Sequence, residues 1–403
     1  GDGLRESLSI IKDKIPEMQI KSIKSGTKVY DWVVPEEWSV KSAYILTPKG
    51  EKICDFKKNN LHLVGYSVPV NKKMNLSDLK KHLHTLPDQP NAIPYITSYY
   101  NRTWGFCISF NEYNTLTDGE YYVYIESEHF NGELNYGELL IQGLSKKEVF
   151  LSTYICHPSM ANNELSGPCL LTFISIMLKK NQSELKYSYR IIFIPETIGS
   201  ISYLSLNLSK LKKNVIAGYN ISCIGDDRCY SFLPSRKGDT LSDKVAVHVL
   251  KWTDPNYNNY NWSDRGSDER QYCSPGVDLP ISSIMRSKYR EYPEYHTSLD
   301  KLDTVVTEKG LEESYNLLVK IIELIEKNIY PKITTLCEPN MGKRGLYPTL
   351  STKESNKQVS LMMDLLSWSD GDHSLIDIAD KINVPVWTIY DLVNKLISEK
   401  LIE

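Results

Sequence analysis

The chain has 403 residues, 41% of them apolar and 24% charged, with 47 basic against 50 acidic side chains and a formal net charge of −3. That length is more than one ordinary domain uses, and the composition is that of a chain with a real core. So even a charge balance gives no overall field to hold nucleic acid or anionic lipid, and no run nears the roughly 18–20 apolar residues of a membrane span.

The opening residues, Gly1-Asp2-Gly3-Leu4-Arg5, lack the charged-then-apolar layout of a secretion signal. Leu4, Leu8, Ile11 and Ile15 recur at helical spacing, which predicts a first helix ending near Pro16. From about Lys28 to Glu133 the texture turns to aromatic and β-branched runs broken by turn residues. Strands are expected at Ala43–Gly50, Leu61–Val70 and Glu120–Ser127, the last alternating apolar and polar side chains. Strands and helices then alternate. Leu139–Gln142, Val149–Cys156, Tyr189–Ile194 and Val215–Ile224 read as strands; Leu165–Leu178, Ile201–Leu211 and Leu311–Ile329 read as helices. Such alternation predicts a mostly parallel mixed sheet flanked by helices, with functional residues beyond the carboxyl ends of its strands. Past a break at Thr334–Tyr347, helices are expected at Gln358–Ser367, Leu375–Ile382 and Val386–Ser398, a winged-helix outline. The expected domains are therefore 1–27 with 134–332 (α/β), 28–133 (inserted, β-rich) and 345–403 (winged helix). The eight cysteines form no close Cys-x-x-Cys pair, and Cys156 and Cys169 read as small buried hydrophobes; a reducing cytoplasm fits.

Three segments carry candidate chemistry. In Thr153–Gly167 an apolar strand delivers His157, and a short polar loop presents Glu164 just before a helix. A histidine and a carboxylate seven residues apart on a strand-loop-helix can converge on one zinc ion, although each alone also suits a satisfied strand end or a helix dipole. In Ile192–Ser200 a second apolar strand ends at Glu196, where a general base that takes a proton from water would sit. In Tyr292–Asp300 His296 lies in a polar loop among aromatics. The remaining histidines, His62, His82, His84, His129, His248 and His373, receive no role.

The order of these segments resembles the M28-type zinc aminopeptidase family, and more closely the aminopeptidase-like proteins found near bacterial polysaccharide genes. Residues 134–330 carry the likeness: His157, the loop Asn163-Glu164-Leu165-Ser166-Gly167, Glu196, the segment Ser267-Asp268, and His296-Thr297-Ser298-Leu299-Asp300. The resemblance implies a zinc-peptidase-like α/β fold and zinc as cofactor. Three places depart from the family pattern: Asn163 where a bridging aspartate is usual, Thr197 at the second place of a Glu-Glu pair, and Ser222 in place of a further acidic ligand. A neutral amide bridges two cations poorly, so one zinc is expected, held by His157, Glu164 and His296 with Asp226 as a fourth candidate. Glu196 is the expected base, Asp300 a holder of a ligand or nearby backbone, and Glu269 and Arg286 candidates to meet the charged ends of a substrate.

The expected function is a zinc-dependent aminopeptidase or related amidohydrolase, acting on a peptide or an amide-containing small molecule. The alternatives are a carbohydrate-linked amide as substrate and a degenerate peptidase fold that binds without catalysis. The predicted third helix of the winged-helix unit carries one lysine, Lys395, beside Asp391, which argues against nucleic acid and for packing or homo-oligomer contact.

Overall fold

The computed structural model describes residues 1–99, 101–346 and 353–403, with 353–356 as backbone only. Residues 347–352, part of the winged-helix segment expected over 345–403, lie outside the described residues.

Eight strands form one mixed sheet. Its order is Gln19–Lys24, Glu133–Ile141, Ser188–Ile194, Glu148–Tyr154, Val215–Ile221, Ile281–Met285, Ser231–Leu233, Asn258–Asn259. The four strands from Ser188–Ile194 to Ile281–Met285 run parallel to one another, and antiparallel neighbours flank them. Three of the four are buried at every position, as expected where helices cover both faces of a parallel sheet. Their apolar runs therefore specify the centre of the sheet, and their shared direction puts the following loops along one edge.

The first helix, Asp2–Lys14, buries Leu8 and Ile11, with Ile15 closing it. The helix Ser166–Lys180 starts against the sheet at Gly167, where a Cβ would collide with Thr153 Oγ1 and the Ile221 carbonyl. Only glycine lets that helix approach so closely. Just before it, Ala161–Leu165 forms a π-helical turn rather than the loop expected.

Residues 28–133 hold a separate antiparallel sheet, ordered Lys52–Ile53, Glu37–Leu46, Glu120–Phe130, Val70–Asn75. Ala43, Ile45, Tyr121, Val123 and Ile125 point from it into a core shared with Leu79 and Phe106. Leu61–Val70 is not a strand. Asn60–His62 is a 3₁₀ turn, and Leu61, Leu63 and Val64 are buried without joining the ladder.

Contacts divide the chain into two compact units, residues 1–242 with 258–315, and residues 243–257 with 316–403. The sheet, the inserted module and the candidate site all belong to the first. The second contains the helices Lys353–Ser367, Leu375–Lys381 and Tyr390–Ser398. Lys332 and Glu403 exchange backbone hydrogen bonds at 2.9 Å in a short wing-like pairing. Ser374 and Asp377 cap the middle helix reciprocally. His248 is wholly buried there: Nδ1 lies 2.8 Å from Asp380 Oδ1, and Nε2 accepts the Val386 N–H at 3.0 Å. The last helix starts at Tyr390 because Val386–Thr388 is a 3₁₀ turn. No described helix is long and apolar enough to cross a membrane.

Candidate active site

The site grows out of the ends of two adjacent parallel strands. Glu148–Tyr154 runs on into Cys156 and His157, and Ser188–Ile194 runs on into Glu196. Ile155 N bonds to the Ile194 carbonyl at 2.9 Å, so both extensions stay in register past the sheet. His157 Nδ1 lies 2.7 Å from Glu164 Oε2, and His157 Nε2 lies 3.7 Å from Glu196 Oε2. The other Glu164 oxygen accepts the Cys156 N–H. The His157 and Glu164 side chains are 6% and 2% exposed and that of Glu196 is 20% exposed, so only the last still reaches solvent appreciably.

His296 arrives from more than a hundred residues away. Its ring centre is 5.4 Å from that of His157, and Tyr95 stands edge-on to both rings, at 5.2 Å from His157 and 5.0 Å from His296. Tyr95 belongs to the inserted module, whose backbone grips the His296 loop. Tyr95 N donates to the His296 carbonyl at 2.8 Å and Ser298 N to the Ile93 carbonyl at 2.9 Å. His296 sits at a φ of 57°, a left-handed conformation that a side chain adopts only where surroundings enforce it. The inserted module is thus part of the site's wall.

Asp300 fixes the turn that carries Glu164. Its two oxygens accept the Asn162 N–H at 2.7 Å and the Asn163 N–H at 2.9 Å, and Tyr292 O–H adds a third donor at 3.0 Å. The π-helical turn leaves backbone donors without intrahelical partners, and this carboxylate supplies acceptors for two of them. Asn163 donates from Nδ2 to the Tyr154 hydroxyl at 2.7 Å, and its Oδ1 is buried with no partner among the described residues.

Three expected site residues are not brought to this cluster. Asp226 is 1% exposed, and its oxygens accept four donors, from Asn162, Ser287 (twice) and Arg228. It ties strand-end loops together. Glu269, 0% exposed, accepts five donors, from Gly266, Ser267, Tyr289, Asn220 and Ser283, which leaves no lone pair turned to a substrate. Arg286 is buried over the Tyr230 ring at 3.9 Å and bonds Glu313, so it braces the interior.

Other residues were overlooked. Cys156 is exposed, not a buried hydrophobe, and so is Cys169. Cys156 Sγ lies 3.5 Å from His157 Nδ1 and accepts the Glu196 N–H at 3.3 Å. Its place directly before the strand-end histidine was the available signal. Asp268, part of the family likeness but given no role there, accepts the Thr197 N–H at 2.7 Å and the Ser200 hydroxyl at 2.8 Å, while its Oδ2 is buried without a partner among the described residues. It thereby holds Thr197, whose φ of 63° is strained for a β-branched residue, next to Glu196. Tyr95 carried no sequence signal at all.

Electrostatics separate the two histidines. Burial, with His157 and Arg290 adding positive charge nearby, lowers His296 to about 3, so it is neutral with a lone pair to offer. Burial also opposes charge on His157, but negative charge available at Cys156 and Glu164 outweighs it and holds this imidazole above its ordinary range. Protein packed around the thiol pushes Cys156 up to about 11 even though the residue meets solvent. Burial raises Glu196, and burial together with the Glu196 charge raises Asp268 to about 8.

A mixed sheet with this strand order, polar side chains at its carboxyl edge and a terminal winged helix define an α/β protein of aminopeptidase-like architecture. The chain belongs to the family described as "Domain of unknown function (DUF4910)", which matches residues 1–328; residues 328–403 match a winged helix-turn-helix family. A protein of Clostridium acetobutylicum named for polysaccharide biosynthesis, with an aminopeptidase-like domain, is 45% identical over 383 residues, 94% of this chain and 87% of the relative. The crystal structure of a candidate peptidase from Clostridium acetobutylicum superposes with a TM-score of 0.93 at 42% identity, covering 100% of this chain and 92% of that one. A zinc aminopeptidase from Bacillus subtilis shares the fold with a TM-score of 0.56 at 11% identity, over 80% of this chain and 88% of its own. A peptidase M28 precursor from Shewanella amazonensis does so at 0.56 and 11%, over 83% and 89%.

Proposed function

We propose that this protein is a zinc-dependent hydrolase that cleaves an amide bond, aminopeptidase-like in its chemistry. The observation that carries the reading is the meeting of His157, Glu164, Glu196 and His296 from three distant segments at one edge of the sheet. The donor set suits zinc: imidazole nitrogen and carboxylate oxygen are its usual partners. His296 Nε2 is buried with no hydrogen-bond partner among the described residues, and a neutral imidazole nitrogen in that state is satisfied by a cation. His157, Glu164 and His296 would hold one ion. Asn163, with its amide committed to Tyr154, offers no negative charge to bridge a second. When bound, zinc supplies a Lewis acid that polarises the amide carbonyl and acidifies water.

Glu196 then does the proton work. Partly exposed and raised above the ordinary carboxylate range by burial, it takes a proton from the water that attacks the amide carbon and passes it to the leaving nitrogen. Asp268 keeps the Glu196–Thr197 turn in place. Metal analysis together with turnover of aminoacyl-anilides tests the reading. About one zinc per chain with turnover is expected; no bound metal after supplementation and no turnover would overturn it and leave a binding protein on a peptidase fold.

A carbohydrate-linked amide is a second substrate class that the site accommodates beside a peptide. Trp38, Tyr66 and Tyr95 line a cleft of about 290 Å³ that also reaches Cys156 and Pro158. Flat aromatic walls suit sugar rings as well as apolar side chains, and the Clostridium relative is named for polysaccharide biosynthesis. Parallel assays on aminoacyl-anilides and N-acyl amino sugars decide between them.

A further inference from the structure

Among the described residues, the three metal-donor side chains that stand together are Cys156, His157 and Glu164, a group that does not include His296. One donor atom from each lies within 4.8 Å of the other two. The three come from a strand end and the π-helical turn that Asp300 clamps, so their proximity is built by the fold. The separation of Cys156 Sγ and His157 Nδ1 is 3.5 Å. Ligands around a tetrahedral zinc, at roughly 2.0–2.3 Å from the ion, stand about 3.5 Å apart, as the sulfur and nitrogen already do; Glu164 Oε2, hydrogen-bonded to His157 Nδ1 at 2.7 Å, would move off by about 0.8 Å to join them. Two further features suit sulfur as a ligand here. The Glu196 N–H already points at Sγ, from 3.3 Å, as an amide does when it supports a thiolate. Cys156 also lines the aromatic-walled cleft, so an ion arriving from solvent meets it.

We infer that Cys156 is itself a ligand of the ion at this site, giving a sulfur–nitrogen–oxygen donor set with His157 and Glu164. The inference rests on the proposed metal-dependent reading and goes beyond it by changing the ligand chemistry. On binding, the S–H bond breaks and its electron pair stays on sulfur to form the bond to the ion. The proton leaves to solvent. A thiolate ligand makes the site selective for thiophilic cations such as zinc and cobalt(II) over magnesium and calcium.

Cobalt(II) titrated into the metal-free full-length protein tests this. The wild type is expected to show a sulfur-to-cobalt charge-transfer band in the near ultraviolet. Cys156→Ser is expected to lose that band, to bind zinc weaker by about tenfold or more, and to release one proton fewer per ion bound. Cobalt binding without the band in the wild type overturns the inference, as does a band that survives in Cys156→Ser; both leave the proposed function standing. Failure of the wild type to bind either ion overturns both.

Discussion

Glu164 and Glu196 stand on opposite nitrogens of one imidazole, and the difference separates their roles. Glu164 shares Nδ1 and is closed off from solvent, whereas Glu196 faces Nε2 and stays partly open. In the proposed reading, Glu196→Gln removes the proton acceptor without removing an ion ligand. It is expected to retain zinc and lose about 10²–10⁴-fold in kcat. Glu164→Gln is expected to cut zinc affinity by more than the 10–100-fold that loss of a merely supporting carboxylate costs. A Glu164→Gln protein that loses no more than that would make Glu164 an orienting group and move the ion to the Nε2 side. Asp268 gives a pH prediction. Its folded value of about 8 lies above the ordinary aspartate value of 3.8, so the folded state holds its proton more tightly. The stability tied to it is complete below about pH 4 and is lost as pH rises through about 8. Asp268→Asn keeps an Oδ1 acceptor for Thr197 and Ser200 but cannot ionise. In the metal-free protein, melting temperature is expected to fall between about pH 5 and pH 8, and to fall less in the variant. Parallel curves would remove Asp268 from this role.

At the scale of elements, the site depends on a turn that local sequence does not specify. The π-helical turn Ala161–Leu165 holds because Asp300, 137 residues further on, accepts two of its backbone N–H groups. Asp300→Ala would strand those donors and the Tyr292 hydroxyl in a place that is 1% exposed. A loss of about 2–4 kcal/mol is expected, with lower zinc occupancy, by thermal unfolding and metal analysis. Unchanged zinc content would show that Glu164 needs no such clamp. The same reach explains what was legible. The central strands announce themselves as apolar runs because both their faces are covered, and strand-end His157 and Glu196 follow from where those runs stop. Leu61–Val70 looked like a strand for the same reason, yet it pairs only through isolated bridges, Leu63 with Phe106 and Gly65 with Thr97, and Tyr66 at a φ of 64° breaks the extended run. Asp226, Glu269 and Arg286 had the right chemistry in the right region. Asp226 and Glu269 are consumed by hydrogen-bond partners from segments that only the fold assembles, and Arg286 is drawn inside over Tyr230 and onto Glu313. Cys156 failed oppositely: an apolar neighbourhood in sequence hid a thiol that the strand end turns outward.

For the whole molecule, the chain's two compact units make different stability claims. The candidate site lies entirely within residues 1–242 and 258–315, so an ion bound there as proposed would stabilise that unit through mass action. At free zinc about a thousandfold above Kd the gain is about 4 kcal/mol, and a chelator removes it. The other unit has its own polar keystone in His248, whose two ring nitrogens join Asp380 to the Val386 N–H inside residues 243–257 and 316–403. With Nε2 accepting, Nδ1 carries the proton and donates to Asp380, so the neutral imidazole satisfies both partners. His248→Ala leaves the Val386 N–H unpaired beside a cavity, which costs about 2–4 kcal/mol. Two cores in one chain argue against a single two-state transition. Calorimetry is therefore expected to show chelation lowering one transition and His248→Ala lowering the other, with little cross-effect. A chelator that moves neither transition removes the ion from the folded protein's energetics. If both treatments move both transitions equally, the units melt as one.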